Sequence, residues 1–280
     1  MSPIEQSIKR KIEENGVPLK DWNISINYGI KTGYNDAFII NGEKKDELIS
    51  ADPKSAEIIR PILRGKDIKR YEYSFADLWI INSHNGVKEK SIPPINILEY
   101  PAIKAHLDLY YDELSKRYDK GDTPYNLRNC IYTDDFSKQK IVWGNLSLFA
   151  QFALVGEEYF LNAPSSMIVN GDEYILAMLN SKAIDWYIKR LGVTRNGGYF
   201  EYKPMFVELA PIPTANQDIR RSIIDIVKQI QKFKDTNEVT DNLENSIDQI
   251  VYKIFNFSIE EIDYIEEAFN INSISDGEKL

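Results

Sequence analysis

Apolar positions follow two rhythms along this chain. A period near four governs both ends. Ile4, Ile8 and Ile12 form one narrow stripe among charged residues, closed by Gly16-Val17-Pro18, and predict an amphipathic helix over residues 4–15 that docks on something larger. Beyond Pro211-Ile212-Pro213, one stripe runs through Ile219, Ile223, Ile226, Val227, Ile230 and Phe233. Another runs through Leu243, Ile247, Ile250, Val251, Ile254 and Phe255, across the polar turn 235–241, so two antiparallel helices are expected. Ser258 with Glu261 three residues on is a capping box that opens a last short helix, 259–269.

Between these ends the spacing is mostly that of strands. Ile24-Ser25-Ile26-Asn27-Tyr28 alternates as a half-buried strand, and the polar, glycine-bracketed connection Gly29 to Asp36 leads into Ala37-Phe38-Ile39-Ile40, so a hairpin with a functional tip is expected. A plain turn whose glycines supply positive φ is the alternative. Leu78 to Ile81 reads as a short strand, residues 101–117 as a helix beginning at Pro101, and Gly121 to Arg128 as a loop. Segments 140–143, 148–155 and 166–169 read as successive strands of a central sheet. Residues 173–191 return to helical spacing and end in a second glycine-rich loop, 192–200. The fold class expected is α+β: a mixed, β-rich domain over 21–213 with peripheral helices, preceded by a linker helix (1–20) and followed by an antiparallel helical segment (214–280).

At 280 residues with 43% apolar and 12% aromatic content, the chain can build a proper core. No apolar run approaches the ~20 residues that cross a bilayer, and Met1-Ser2-Pro3-Ile4-Glu5-Gln6 lacks a secretory layout; a soluble cytoplasmic protein with no membrane partner is expected. Cys130 stands alone and His84 and His106 have no neighbour at ligand spacing, which leaves neither a disulfide framework nor a zinc site.

The net charge of −9 is unevenly spread. Residues 235–280 carry 12 acids against Lys253 and Lys279, leaving 31 acids and 32 bases in residues 1–234. The body is therefore neutral, and a local basic patch on it can still bind a polyanion. The densest such patch is Ile59 to Tyr71, where Arg60, Arg64, Lys66, Lys69 and Arg70 face a single acid, Asp67, while Ile59, Ile62, Leu63 and Ile68 tie the segment to a core. A solvated face is the plain alternative.

Catalytic patterns are mostly absent. Pro93-Pro94 lies between Ile92 and Ile95, so the Asn/Asp-Pro-Pro-aromatic loop of a base-flipping methyltransferase is missing. Asp36 with Glu43 and Lys45 superficially matches a metal-dependent nuclease, although the turn signal Asn41-Gly42 falls between them. Asp134-Asp135 with Lys138 and Lys140 sits on a strand approach where solvated charges are expected. There is no Gly-x-x-x-x-Gly-Lys phosphate loop and no nucleophile with a credible base, so this chain is not expected to be an enzyme on its own.

Four segments in order, Gly29 to Ile40, Ile59 to Tyr71, Tyr174-Ile175-Leu176-Ala177-Met178-Leu179-Asn180-Ser181-Lys182 and Leu209-Ala210-Pro211-Ile212-Pro213, resemble the TaqI-like C-terminal specificity domain of type IIG restriction-modification enzymes. The tail Ile247 to Phe255 followed by Ser258 to Ile262 is similar to the helical segment that follows that domain. The resemblance implies a target-recognition domain over 21–213 that selects a short double-stranded DNA sequence for an adenine methyltransferase and endonuclease module, in cis or in trans. It implies no cofactor in this chain, since S-adenosylmethionine and magnesium would belong to those modules. On this reading Arg64, Lys66, Lys69 and Arg70 hold phosphates, and Lys31, Thr32, Tyr34 and Asn35 line the groove. Tyr125, Arg128, Arg195, Asn196 and Tyr199 are candidate base or backbone readers. The rival readings are the nuclease of Asp36, Glu43 and Lys45 and a protein-binding scaffold that uses the acidic helices.

Overall fold

A computed structural model describes residues 1–277, with side chains through residue 270; residues 278–280 of the expected C-terminal segment lie outside the described residues. Helix α1 (Pro3–Asn15) opens on a reciprocal cap, in which Ser2 Oγ accepts from the Glu5 amide while Glu5 Oε2 accepts from the Ser2 amide. Its stripe is used as expected: Ile8 and Ile12 are fully buried. Strand β1 (Gly16–Pro18) then pairs antiparallel with β14 (Pro211–Pro213).

Strand β2 (Ser25–Tyr28) enters the central sheet, but the expected hairpin does not form. Residues 35–38 are a short helix, α2 (Asn35–Phe38), and β3 (Ile39–Asn41) pairs with β7 (Leu78–Ile81) in a second sheet. The reason lies in the backbone. Gly29 N bonds Ser165 O at 2.8 Å, Ile30 N bonds Leu161 O at 2.7 Å and Ala163 N bonds Ile30 O at 2.9 Å, so this segment zips along 161–165 and carries the chain from one sheet to the other. Gly29 is required there because a Cβ would sit 2.6 Å from the Asn162 carbonyl carbon, whereas Gly33 takes φ +72° in the turn that follows.

Helix α3 (Gly42–Ala51) precedes β4 (Ile59–Leu63), β5 (Ile68–Lys69) and β6 (Glu72–Tyr73). The helix expected over 101–117 is two pieces, α4 (Pro101–Asp108) and α5 (Tyr111–Lys116). Leu109 N and Tyr110 N reach back only three residues, to His106 O and Leu107 O, which tightens the turn and breaks the axis. Then come β8 (Lys140–Trp143), β9 (Leu146–Ser147), β10 (Phe152–Val155), β11 (Phe160–Leu161) and β12 (Ser166–Val169). Helices α6 (Glu173–Asn180) and α7 (Lys182–Leu191) are split at Ser181, whose hydroxyl caps α7 by accepting from Ile184 N. Strand β13 (Phe200–Glu201) pairs with β9, and α8 (Pro204–Val207) leads to β14. The two expected amphipathic helices are α9 (Gln217–Asp235) and α10 (Asp241–Ile254). The capping box of Ser258 and Glu261 opens α11 (Ile259–Gly277), which runs past the expected end at 269.

Strands β10, β8, β12 and β2, in that spatial order and all antiparallel, form a sheet that separates two cores. Alternation assigns the residues. Ile141, Trp143, Phe152 and Ile168 point to one side and pack with α1, α6, α7, α9, α10 and α11. Val142, Ala153, Val155 and Met167 point to the other and pack with α2 to α5 and the second sheet, ordered β11, β4, β7 and β3. The fold is thus α+β, and the second core contains fully buried Phe38, Ile80 and Leu107. Lys140, expected to be solvated, is fully buried instead; its Nζ donates to the carbonyls of Phe136, Lys138 and Gly156, and burial lowers its pKa to about 8.

The buried Asn180 accounts for part of the conspicuous Leu-Asn-Ser segment. Its Oδ1 accepts from Phe152 N at 3.0 Å and its Nδ2 donates to Phe152 O at 2.9 Å, so a side chain takes the place of a neighbouring strand at the edge of β10. Replacing Asn180 by Ala leaves the Phe152 amide without its partner inside the core and is expected to destabilise the chain by about 2–3 kcal/mol, read as a lowered midpoint in urea with unchanged slope.

Candidate nucleic-acid interface

The antiparallel register places four chain segments at one end of the central sheet. Its terminal row is Phe152, Trp143, Ser166 and Tyr28 in neighbouring strands, so the residues just outside it, Gln151, Gly144-Asn145, Pro164-Ser165 and Gly29, emerge together. The turn after β4 joins them. Gly65 and Gly144 pass so closely that a Cβ on either would come within 3.2 Å of the other's Cα, and Tyr71 N bonds Phe152 O at 2.9 Å. The result is a groove of about 500 Å³ lined by Gly65, Lys66 and Lys69, by residues 144–149 and Gln151, and by Pro164, Ser165 and Tyr199. None of its lining residues is a carboxylate. Among the described residues Lys66 and Lys69 make no ion pair, and both are exposed.

A second hollow of about 390 Å³ adjoins it through Pro164 and holds Lys31, Thr32, Tyr34 and Asn35. The first glycine tip and the basic turn therefore share one side of the molecule. Thr32 is itself buried: its hydroxyl bonds Asn35 Oδ1 at 2.6 Å and accepts from Tyr34 N, so it holds the turn and does not face outward. Lys31 reaches Asp119 at 2.7 Å and Arg128 reaches the same carboxylate at 3.2 Å. The Lys31 hydrogen bond above all holds the Asp119 carboxyl below its ordinary value. Arg117, which the sequence pattern did not single out, is buried here and donates to the carbonyls of Thr32, Asp119, Pro124 and Asn126, and desolvation brings its pKa down to about 10. It pins the loop 117–126 to the first glycine tip.

Several expected site residues face elsewhere. Arg64 is clamped on Asp67, with Nε and Nη2 at 2.9 and 2.8 Å. Burial opposes the charge of Asp67, but these bonds outweigh it and hold the carboxyl below its usual value. Arg70 departs furthest from the expectation of a splayed cation. It turns inward, with Nε 2.6 Å from Glu244 and Nη2 4.0 Å from Asp248 on α10. Arg60 is likewise spent on the carbonyls of Ala56, Glu57 and Ile59. Tyr125 lies on the α4 face, donating to Asp108 at 2.6 Å. Arg195 is paired with Glu201, and Asn196 is exposed but outside the groove lining, so of the second glycine loop only Tyr199 lines the groove. Lys45 of the nuclease pattern pairs with Asp46 and lies over the Trp79 ring. A further cavity of about 340 Å³ near Glu5, Trp186 and Arg190 has its charges matched internally, Arg190 with Glu5 at 2.9 Å and Lys189 with Asp185 at 2.8 Å.

Fold and groove together define an α+β recognition module, in which two packed cores hold a carboxylate-free, cation-walled groove at the end of a sheet. The chain belongs to the TaqI-like C-terminal specificity domain family, whose profile matches residues 60–213. It is similar to the Type II methyltransferase M.MjaIV of Methanocaldococcus jannaschii, with 25% identity over 246 residues that cover 82% of this chain and 78% of that one. In structure it resembles the Type IIL restriction-modification enzyme MmeI in complex with DNA, with a TM-score of 0.66 at 14% identity over 91% of this chain. It also resembles the type IIG restriction endonuclease BpuSI, with a TM-score of 0.59 at 14% identity over 97% of this chain. The chain spans 36% and 32% of those two proteins, so the likeness is one of fold.

The neighbours Lys69 and Arg70 should respond differently to truncation. Arg70→Ala removes the guanidinium between Glu244 and Asp248, leaving them to Lys234 and Lys182 at 3.7 Å, and is expected to cost about 3 kcal/mol in chemical denaturation, whereas Lys69→Ala is expected to stay within about 0.5 kcal/mol. Burial lifts the Asp248 carboxyl to about 6 against the pull of Arg70 and Lys182. Because the folded state then holds this proton more tightly than the unfolded chain, whose Asp titrates near about 4, the group's contribution to stability is full below pH ~4 and is lost as pH rises through about 6. Asp248→Asn should remove that downward slope, so the gap between wild type and variant in unfolding free energy should change sign-consistently across this window when measured in urea at several pH values.

Proposed function

We propose that this chain is the sequence-recognition module of a restriction-modification system, binding double-stranded DNA along the groove at the end of the central sheet and presenting it to a methyltransferase and endonuclease module. The observation that carries the reading is the groove itself: among the described residues, Lys66 and Lys69 stand exposed in its lining without ion pairs and no carboxylate lines it, in a chain of net charge −9. Phosphates are held by such cations, and the counterions they displace make binding depend on salt. Arg64 and Arg70 are left out of the phosphate set because their guanidinium groups are committed to Asp67 and Glu244. Lys31, whose charge is already matched by Asp119, and Asn35 line the adjoining hollow, and Tyr199 lines the groove together with the two lysines.

Chemistry is assigned to other modules on this reading, and S-adenosylmethionine and magnesium with them. The similar archaeal protein is named a methyltransferase, so methyl transfer by the chain alone is the informative control. Incubation with labelled S-adenosylmethionine and duplex DNA is expected to leave the DNA unlabelled until a catalytic module is added.

Fluorescence anisotropy with a duplex at several salt concentrations tests the binding. A linear fall of log affinity with log salt is expected, and Lys66→Ala combined with Lys69→Ala should reduce that slope by about two units and weaken binding at every sequence alike. Absence of binding at about 50 mM salt, or a slope that the double variant leaves unaltered, would reject the groove as the DNA site.

A further inference from the structure

We propose that Gln151 is the side chain that reads a base in this groove, with Asn145 beside it, and that the DNA site it selects contains an adenine at the contacted position. The inference rests on the DNA-binding reading above and deepens it.

The backbone on both sides of Gln151 is fixed by buried side chains. Ala150 N donates to Asp185 Oδ1 at 2.9 Å, and the amide and carbonyl of Phe152 are both held by Asn180. Asp185 and Asn180 are essentially inaccessible to solvent, so the main chain at 150–152 cannot swing. The Gln151 amide group itself, half-buried in the groove lining, has no hydrogen-bond partner among the described residues. A half-buried amide with a rigid base and free polar atoms is arranged to meet a partner from outside. Two other groups on the same walls are also open. Asn145 commits only its Oδ1, to Ser166 Oγ at 3.2 Å, and Ser165 Oγ is buried without a partner.

The chemistry selects the base. A primary amide offers one donor and one acceptor side by side, which matches N7 and the N6 amino group of adenine, while a guanine edge with two acceptors is met by Arg or Lys. The arginines near lining residues in sequence are committed elsewhere, Arg64 to Asp67, Arg70 to Glu244 and Arg195 to Glu201, and the groove cations Lys66 and Lys69 share the lining with the amides and are free to hold a phosphate strand. Asp185 and Asn180 act as positioning residues through the backbone they hold.

The test is selection of bound sequences from a random duplex pool by the full chain, in four forms: wild type, Gln151→Ala, Gln151→Glu, and Lys66→Ala with Lys69→Ala. Wild type should enrich a motif with adenine at one position. Gln151→Ala should weaken that preference by about tenfold without altering the salt slope, and Gln151→Glu, which can only accept, should move the preference towards cytosine. The double lysine variant should keep the motif and lose affinity uniformly. A motif that both Gln151 variants retain, or one whose altered position is not adenine, overturns this inference while leaving DNA binding in place. A wild-type chain that binds no duplex overturns both.

Discussion

Everything in this molecule depends on one sheet being shared by two cores. Lys140 to Trp143 and Phe152 to Val155 alternate residue by residue between them, with Trp143 and Phe152 on one side and Val142 and Ala153 on the other. Both faces are dry, so a slip of one residue would send a tryptophan into the smaller space and an alanine into the larger. Register is therefore set twice over. With it, the terminal row from Phe152 to Tyr28 is set, and so is the place where the groove segments leave the sheet.

A second constraint holds the basic turn against this frame. Arg70, Glu244, Asp248 and Lys182 form an ion cluster between the β5–β6 turn and the helices α7 and α10, extended by Lys182 to Glu266 at 2.8 Å. Such clusters contribute little net stability, because removing four charges from water costs about as much as their attraction returns. Their effect is geometric. Arg70 is held inward while its neighbour Lys69, the last residue of β5, is exposed in the groove lining, and the helical segment becomes a support for that face.

Much of this was legible in the sequence. Four-residue spacing gave α1, α9 and α10, alternation gave β2, short apolar segments gave β8 and β12, and the Ser258 and Glu261 cap marked the start of α11. What pattern does not carry is pairing. The alternation of Ile24 to Tyr28 says strand but not with whom, so the neighbouring strands around Gly29 looked like a hairpin although each belongs to a different sheet. Charge was misread for a similar reason. Arg64, Arg70 and Lys140 look like solvent-facing cations in a string of letters, yet Arg64 folds back on Asp67 three residues on, Lys140 is taken up by the carbonyls of Phe136, Lys138 and Gly156, and Arg70 meets Glu244 from a distant helix. Lys66, Lys69 and Tyr199 were picked out and do share the groove; Gln151 was passed over because it sits inside the apolar run Leu148 to Val155.

Residues 144–149, Gln151, Pro164 and Ser165 of the groove lining leave the end of the central sheet, with Leu146 and Ser147 paired again, to β13. Exchanging Gln151, whose side chain makes no hydrogen bond among the described residues, for another polar residue alters what the surface greets while the scaffold beneath is left undisturbed. For the DNA-binding groove proposed above, this means that a lineage carrying the architecture would wander among targets by single substitutions, with folding acting as a bystander to that divergence and not as its brake.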